Sequence, residues 1–352
     1  MKTWKVLGTT AIVTALSLSM VGTVSADAHT TSSTSSTSAN NLLSSDATAV
    51  ASATAVIPTG AIVVDQKGSG QYKTVQAAIN SIPANNNQQK TIYIKNGTYT
   101  EKLTITQSHI TLQGESTTGT ILSYNATNAS SGSTTNSAST TVKGNYFQAK
   151  TITFRNNAGI SAGQAVAFYN NADKAIYTDV RFLGYQDTVY TPGTGRQYFK
   201  NCYIEGTVDF IFGSATAVFD QCQIHSLGAG YVTAASTGAE TKYGYVFLNS
   251  RLTSSGTANQ SVYLGRPWRP YSAVTYINTD MGAHIQPTGW DNWRDPANEA
   301  TARYYEYASK GAGANNNARV KWAKFLTNEQ VKAITVQTVL GGTDQWNPTQ
   351  TN

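Results

Sequence analysis

The chain has 352 residues, with 25 Lys or Arg against 19 Asp or Glu, a formal net charge of +6 and only 12% charged residues, where a soluble domain usually carries about 25%. So few charges, with 20 Tyr and 29 Gly, argue against the Glu/Lys/Ala-rich helical bundles and coiled coils, and 10% aromatics argue against disorder throughout. With no basic run to mark a nucleic-acid surface, a β-rich, polar-surfaced extracellular protein remains.

Residues 1–26 read as a secretory signal: Lys2 and Lys5 open it, an apolar stretch runs from Val6 to about Val21, and Val24-Ser25-Ala26 offers a small-residue cleavage site. Its Gly, Ser and Thr disfavour the alternative, an uncleaved membrane anchor. Its loss removes two lysines and no acid, so the charge falls from +6 to +4. Residues 27–57 form a Ser/Thr/Ala-rich leader with no hydrophobic face to bury. The folded domain is expected over 58–348, and the protein is expected to be secreted.

The first element is a helix. Val75, Ala78, Ile79 and Ile82 follow i, i+3, i+4, i+7 spacing, and Pro83 ends it. Strands begin at Thr91-Ile92-Tyr93-Ile94. One pattern then recurs at Lys150–Phe154, Thr178–Phe182, Lys200–Ile204, Asp220–Ile224 and Leu248–Leu252, with starts 28, 22, 20 and 28 residues apart. A helix-free repeat of this length predicts an all-β solenoid with one coil per repeat. The rival is a two-sheet sandwich.

The phase of this repeat aligns the chemistry. Cys202 and Cys222 hold the same position in consecutive repeats, and stacked strands about 4.8 Å apart fall within the Cα range of a disulfide. A bridge between them is expected. Asp187 and Asp209 are 22 residues apart, one repeat, and Gln164 lies 23 residues before Asp187. Two stacked carboxylates push one pKa up while a cation lowers the other, leaving a proton donor beside a nucleophile or base. Amides beside them can hold an oxyanion. The alternative is a set of corner residues bonded to backbone. Arg266, in Leu264-Gly265-Arg266-Pro267-Trp268, is the candidate cation. Trp268, Tyr190, Phe212, Trp290 and Trp293 are candidates to stack on sugar faces, or else core residues, and Phe210 is expected to be core. No G-x-S-x-G, zinc spacing or phosphate-loop motif occurs.

Taken in order, Val64–Ile79, Gly97–Glu101, Gln164–Ala167, Gln186–Thr188, Gly206–Gly213, Leu264–Trp268, Asp280–Ile285, Gly289-Trp290, Arg319–Trp322 and Trp346–Pro348 make the chain resemble the pectin methylesterases (pectinesterases). These are carbohydrate esterases built on a single-stranded right-handed parallel β-helix. The resemblance implies hydrolysis of the C6 methyl esters of homogalacturonan, with Asp209 as nucleophile and Asp187 as acid/base. Gln164 and Gln186 would stabilise the oxyanion, Arg266 would hold Asp209, and Tyr190, Phe212 and Trp268 would contact sugar. It implies no metal or organic cofactor, a polysaccharide partner, no nucleic acid, no membrane once the signal is removed, and a monomer. The leader and Asp65-Gln66 depart from the family pattern, and Ser130–Thr140 reads as a variable loop. The competing readings are a pectate lyase or polygalacturonase on the same coil, and a non-catalytic polysaccharide-binding β-helix.

Overall fold

The computed structural model describes residues 56–350. The expected signal, and all but the last two residues of the expected leader, lie outside the described residues. Three parallel sheets of 11, 8 and 7 strands are visited in the same order on each turn of the chain. One coil runs through Ala175–Thr178, Arg181–Leu183 and Val189–Thr191; the next runs through Arg196–Lys200, Tyr203–Gly206 and Ile211–Gly213. Every strand of the first coil pairs in parallel with its counterpart in the second. The repeat is therefore a parallel β-helix and not a sandwich.

Inward-pointing residues make the core. Phe154, Phe182, Ile204, Ile224 and Leu252, the fifth residues of the five repeats, pair in one row and are at most 1% exposed. In the first sheet the rings of Tyr177, Phe199, Phe219, Phe247 and Tyr276 stack from coil to coil at 4.4–4.6 Å. Each such ring pair adds about 0.5–1.5 kcal/mol beyond the area it buries. The second residue of each of the last four repeats turns the chain between the first and second sheets. Asp179, Asn201, Gln221 and Asn249 all have φ between 50° and 57°, a left-handed conformation in which Asn and Asp are enriched among non-glycine residues.

Both ends of the solenoid are closed. At the start, helix Val75–Asn80 buries Val75, Ala78 and Ile79. The Glu101 carboxylate accepts from the Val75 and Gln76 amides, at 2.8 and 2.9 Å, which satisfies the first free N–H groups of the helix and complements its dipole. At the far end Trp290 packs 4.4 Å from Tyr304 and donates to Glu306. Glu306 is paired with Arg319, and both side chains are 1% exposed. The remaining Arg319 donors reach the carbonyls of Gln286, Pro287 and Gly313.

Beyond this cap the chain doubles back. Helices Asn328–Lys332 and Val336–Leu340 lay Val339 and Leu340 on the outer face of the first sheet, against Tyr198, Val218, Val246 and Ile277. Arg196 fastens this tail, donating to both carboxylate oxygens of Asp173, to the Leu340 and Gly341 carbonyls and to Asp344.

The expected disulfide is corrected. Cys202 and Cys222 are stacked and buried, but they are free thiols. In-register side chains of parallel strands stand about 4.8 Å apart, wider than the roughly 3.8 Å between the Cβ atoms of a bridge. Each thiol instead points to a backbone carbonyl, Cys202 to Lys200 at 3.5 Å and Cys222 to Phe199 at 3.4 Å.

Replacing Arg319 by Met would leave the Glu306 carboxylate buried without its partner. The expected loss is about 3–5 kcal/mol, read by urea unfolding at neutral pH. A loss under 1 kcal/mol would show that the pair does not hold the cap.

Candidate active site

Asp187 and Asp209 lie two residues before the third-sheet strands of two adjacent coils. The pairing of Val189 with Ile211 sets them level, one coil apart. Both are 7% exposed and both have positive φ, 68° and 53°. A non-glycine residue in this region stores strain of order 1–3 kcal/mol, found mainly where function requires a fixed geometry. The Asp187 amide donates to the Val208 carbonyl at 3.1 Å, which locks the two turns together. Gly206 permits this close approach, because a side chain there would collide with Phe210 and the Tyr185 carbonyl.

These turns open onto a cleft of about 340 Å³ that also contains Gln164, Gln186, Tyr190, Phe212, Trp268 and Trp293. By strict register Val166 is level with Asp187, and Gln164 enters the cleft from two positions earlier. Its carbonyl oxygen takes a long 3.5 Å contact from the Asn128 amide, which leaves its own NH2 group available to the cleft. The expected variable loop forms a wall, with Ser133, Thr134 and Thr135 on the rim.

Arg266 lies on strand Val262–Pro267, two coils beyond Asp209. Its Nε and Nη2 donate to the two Asp209 oxygens at 2.9 and 2.7 Å, the bidentate geometry of a strong carboxylate pair. The guanidinium is sandwiched between Tyr231, 3.8 Å away, and Trp293, 3.9 Å away. Gly265 brings the strand tight against Thr233, with no room for a Cβ.

The two carboxylates differ electrostatically. Burial pushes Asp187 up to about 8, Asp209 adds to the rise and Arg266 only partly opposes it. Burial also raises Asp209 above its ordinary value, but there both hydrogen bonds and the charge of Arg266 pull against it. The cleft thus holds a carboxyl that keeps its proton at neutral pH beside a carboxylate fixed by a cation, with two amides alongside.

Tyr190 and Phe212 stack at 4.2 Å and 7°, and Trp268 meets both edge-on. These three aromatics line the cleft; Trp290 does not. It is 1% exposed, held by Tyr304 and Glu306 in the cap, so its expected place on a sugar face is corrected. Phe210 is core. Tyr231 was missed by sequence reasoning although its signal was present: it follows Asp209 by 22 residues, the same step that separates the two aspartates.

A family model described as Pectinesterase matches residues 61–343. Pectinesterase 31 of Arabidopsis thaliana is 39% identical over 280 residues, which cover 76% of this chain and 88% of that one. The pectin methylesterase from carrot superposes with a TM-score of 0.78 at 33% identity, over 82% of this chain and 96% of that one. A pectin methylesterase solved in complex with a hexasaccharide superposes with a TM-score of 0.74 at 34% identity, over 84% of this chain and all of that one.

The raised Asp187 carboxyl has a consequence for stability. Between its ordinary value near 4 and about 8, the folded chain keeps a proton that the unfolded chain has lost, so stability falls as pH rises through that window. Asp187→Asn removes the penalty. The variant is expected to gain on the order of 2–4 kcal/mol at pH 7 and to converge with the parent by pH 4. Urea unfolding at both pH values measures this, and an equal difference at both would contradict it.

Proposed function

This chain belongs to the pectinesterase family, and from that premise we propose a division of labour within its cleft. The enzyme is a carboxylic-ester hydrolase, a pectin methylesterase that cleaves the C6 methyl esters of homogalacturonan to pectate and methanol. The observation that carries the residue assignment is the asymmetry of the two carboxylates. Asp209 is gripped by Arg266, while Asp187 lacks such a partner and is raised further.

An Asp209 oxygen attacks the ester carbonyl carbon. The carbonyl oxygen becomes an oxyanion, and the side-chain amides of Gln164 and Gln186 donate to it. As the intermediate collapses, the carbon–methoxy bond breaks and Asp187 gives its proton to the departing methanol. Galacturonate is left acylated on Asp209. Asp187, now a carboxylate, takes a proton from water as that water attacks the acyl carbon. The product acid leaves, Asp209 is regenerated and Asp187 is again protonated. Arg266 holds the attacking carboxylate in place and disperses its charge, and the ring sandwich limits where Arg266 itself can go. Tyr190, Phe212 and Trp268 offer flat apolar faces for pyranose rings beside the reacting ester.

The same reading takes 58–348 as the catalytic domain and the protein as exported. It rests on the signal-like pattern of residues 1–26 and on the absence, among the described residues, of any helix long and apolar enough to cross a membrane. All five reacting groups come from one chain, in keeping with action as a monomer.

Asp209→Asn is expected to fold and to release no methanol from methylated pectin above about a thousandth of the parent rate; a rate near the parent's would overturn the nucleophile assignment. For the parent, the rate is expected to fall as pH rises through about 8 and Asp187 loses its proton. Tyr231→Leu frees one face of Arg266, so kcat is expected to drop about tenfold or more with little change in KM. A change confined to KM would make Tyr231 a substrate contact instead.

A further inference from the structure

The catalytic cleft is not the largest concavity among the described residues. Two larger hollows, of about 690 and 390 Å³, lie along the corner between the first and second sheets. They share Asn201, Gln221 and Arg251 and so form one trough parallel to the solenoid axis. Its floor is the left-handed corner row: Asp179, Asn201, Gln221, Asn249 and Asn278, all exposed, recur once per coil. The row therefore repeats every 4.8 Å or so, close to the length of one sugar unit in an extended chain.

One wall carries an excess of cations. Arg181, Arg251 and Lys310 line the trough, and none of them is ion-paired among the described residues. Arg181 lies over the Tyr203 ring at 5.1 Å, and Arg251 donates one bond to Gln223. Asp280 lies in the same row, between Arg251 and Lys310, and Asp179 stands near Arg181, so the cations outnumber the acids three to two. The Asn201 and Gln221 amides have no side-chain partner among the described residues. A tight corner alone accounts for Asn and Asp in left-handed backbone. It does not account for three cations outside any ion pair and two amides without a side-chain partner beside a trough five coils long.

We propose that this trough is a second, non-catalytic binding groove for a linear polyuronate, the de-esterified polymer that the reaction produces. The proposal rests on the esterase reading for the identity of the polymer and on the trough alone for the site. The cations meet carboxylates and the amides meet ring hydroxyls. The trough and the cleft span the same coils and are separated only by second-sheet strands such as Arg181–Leu183 and Tyr203–Gly206. A polymer stretch that has lost its esters can thus stay bound to the molecule while another stretch occupies the cleft.

The test uses the full chain and the double variant Arg251→Gln/Lys310→Gln, both exposed positions away from the cleft. The probe is fully de-esterified polygalacturonate embedded in a native gel, with a neutral galactan gel as control. The variant is expected to bind polygalacturonate about three- to tenfold more weakly, the effect of two exposed charge contacts, with the difference shrinking as salt is added. Methanol release from a methylated trimer, too short to need both grooves, is expected to be unchanged. Equal retention of the two proteins on polygalacturonate would overturn the proposal, and so would an equal loss on the neutral galactan. Failure of the parent to release methanol from the trimer would instead sink the esterase reading and leave the retention result standing.

Discussion

In-register hydrogen bonding between coils places residues some 20 positions apart in sequence within one strand spacing, about 4.8 Å. Every feature of the cleft descends from that constraint. Asp187 and Asp209 meet because Val189 pairs with Ile211, and Tyr231 arrives under Arg266 because Ile211 pairs with Thr233. A single inserted residue in any of these coils would turn the next side chain to the opposite face. Loops that lengthen a coil are accommodated only where the chain leaves the sheets, as at Ser133–Thr135 on the rim. The rigidity needed for catalysis is thus a property of the repeat itself.

That rigidity holds together an arrangement that would not assemble in a softer fold. Two carboxyls sit buried, each on left-handed backbone, one of them displaced far from its usual protonation range. Removing either charge from water is unfavourable, and the attraction of one arginine offsets this only where the geometry is good. The geometry is good because the guanidinium has little freedom: carboxylate in front, a ring on each face. The contrast with Glu306 and Arg319 is instructive. That pair is more deeply buried and as well bonded, yet it sits in the cap, where it organises backbone carbonyls and no reaction.

Periodicity made much of this legible in the sequence. The row from Phe154 to Leu252 and the level placement of Asp187 and Asp209 follow from residue type and phase. Helix Val75–Asn80 ends two residues before the apolar pattern does, because Ile82 is buried by the chain leaving the helix and not by a further turn. Other features were not legible, for physical reasons. A tryptophan reads alike whether it stacks on a sugar or closes a core, and only the Glu306 partner and the Tyr304 ring assign Trp290 to the cap. Cα spacing suggested a Cys202–Cys222 bridge, but the parallel direction of the two side chains decided against it. Trp293 reaches Arg266 from the turn that follows the isolated pairing of Gly265 with Trp290, a coil no repeated strand pattern marks in the sequence.

The tail has an effect that reaches beyond packing. An array of stacked repeats joined only through neighbours can unravel from either end, one unit at a time. Here Arg196 binds Asp173 in its own region and Asp344 near the end of the chain, and Val339 and Leu340 lie across several coils at once. This latch spans nearly 150 positions of sequence. Terminal fraying is thereby suppressed, and loss of the outer coils is coupled to loss of the central ones. Such long-range closure raises contact order and slows folding, but it makes the folded solenoid behave as one cooperative body.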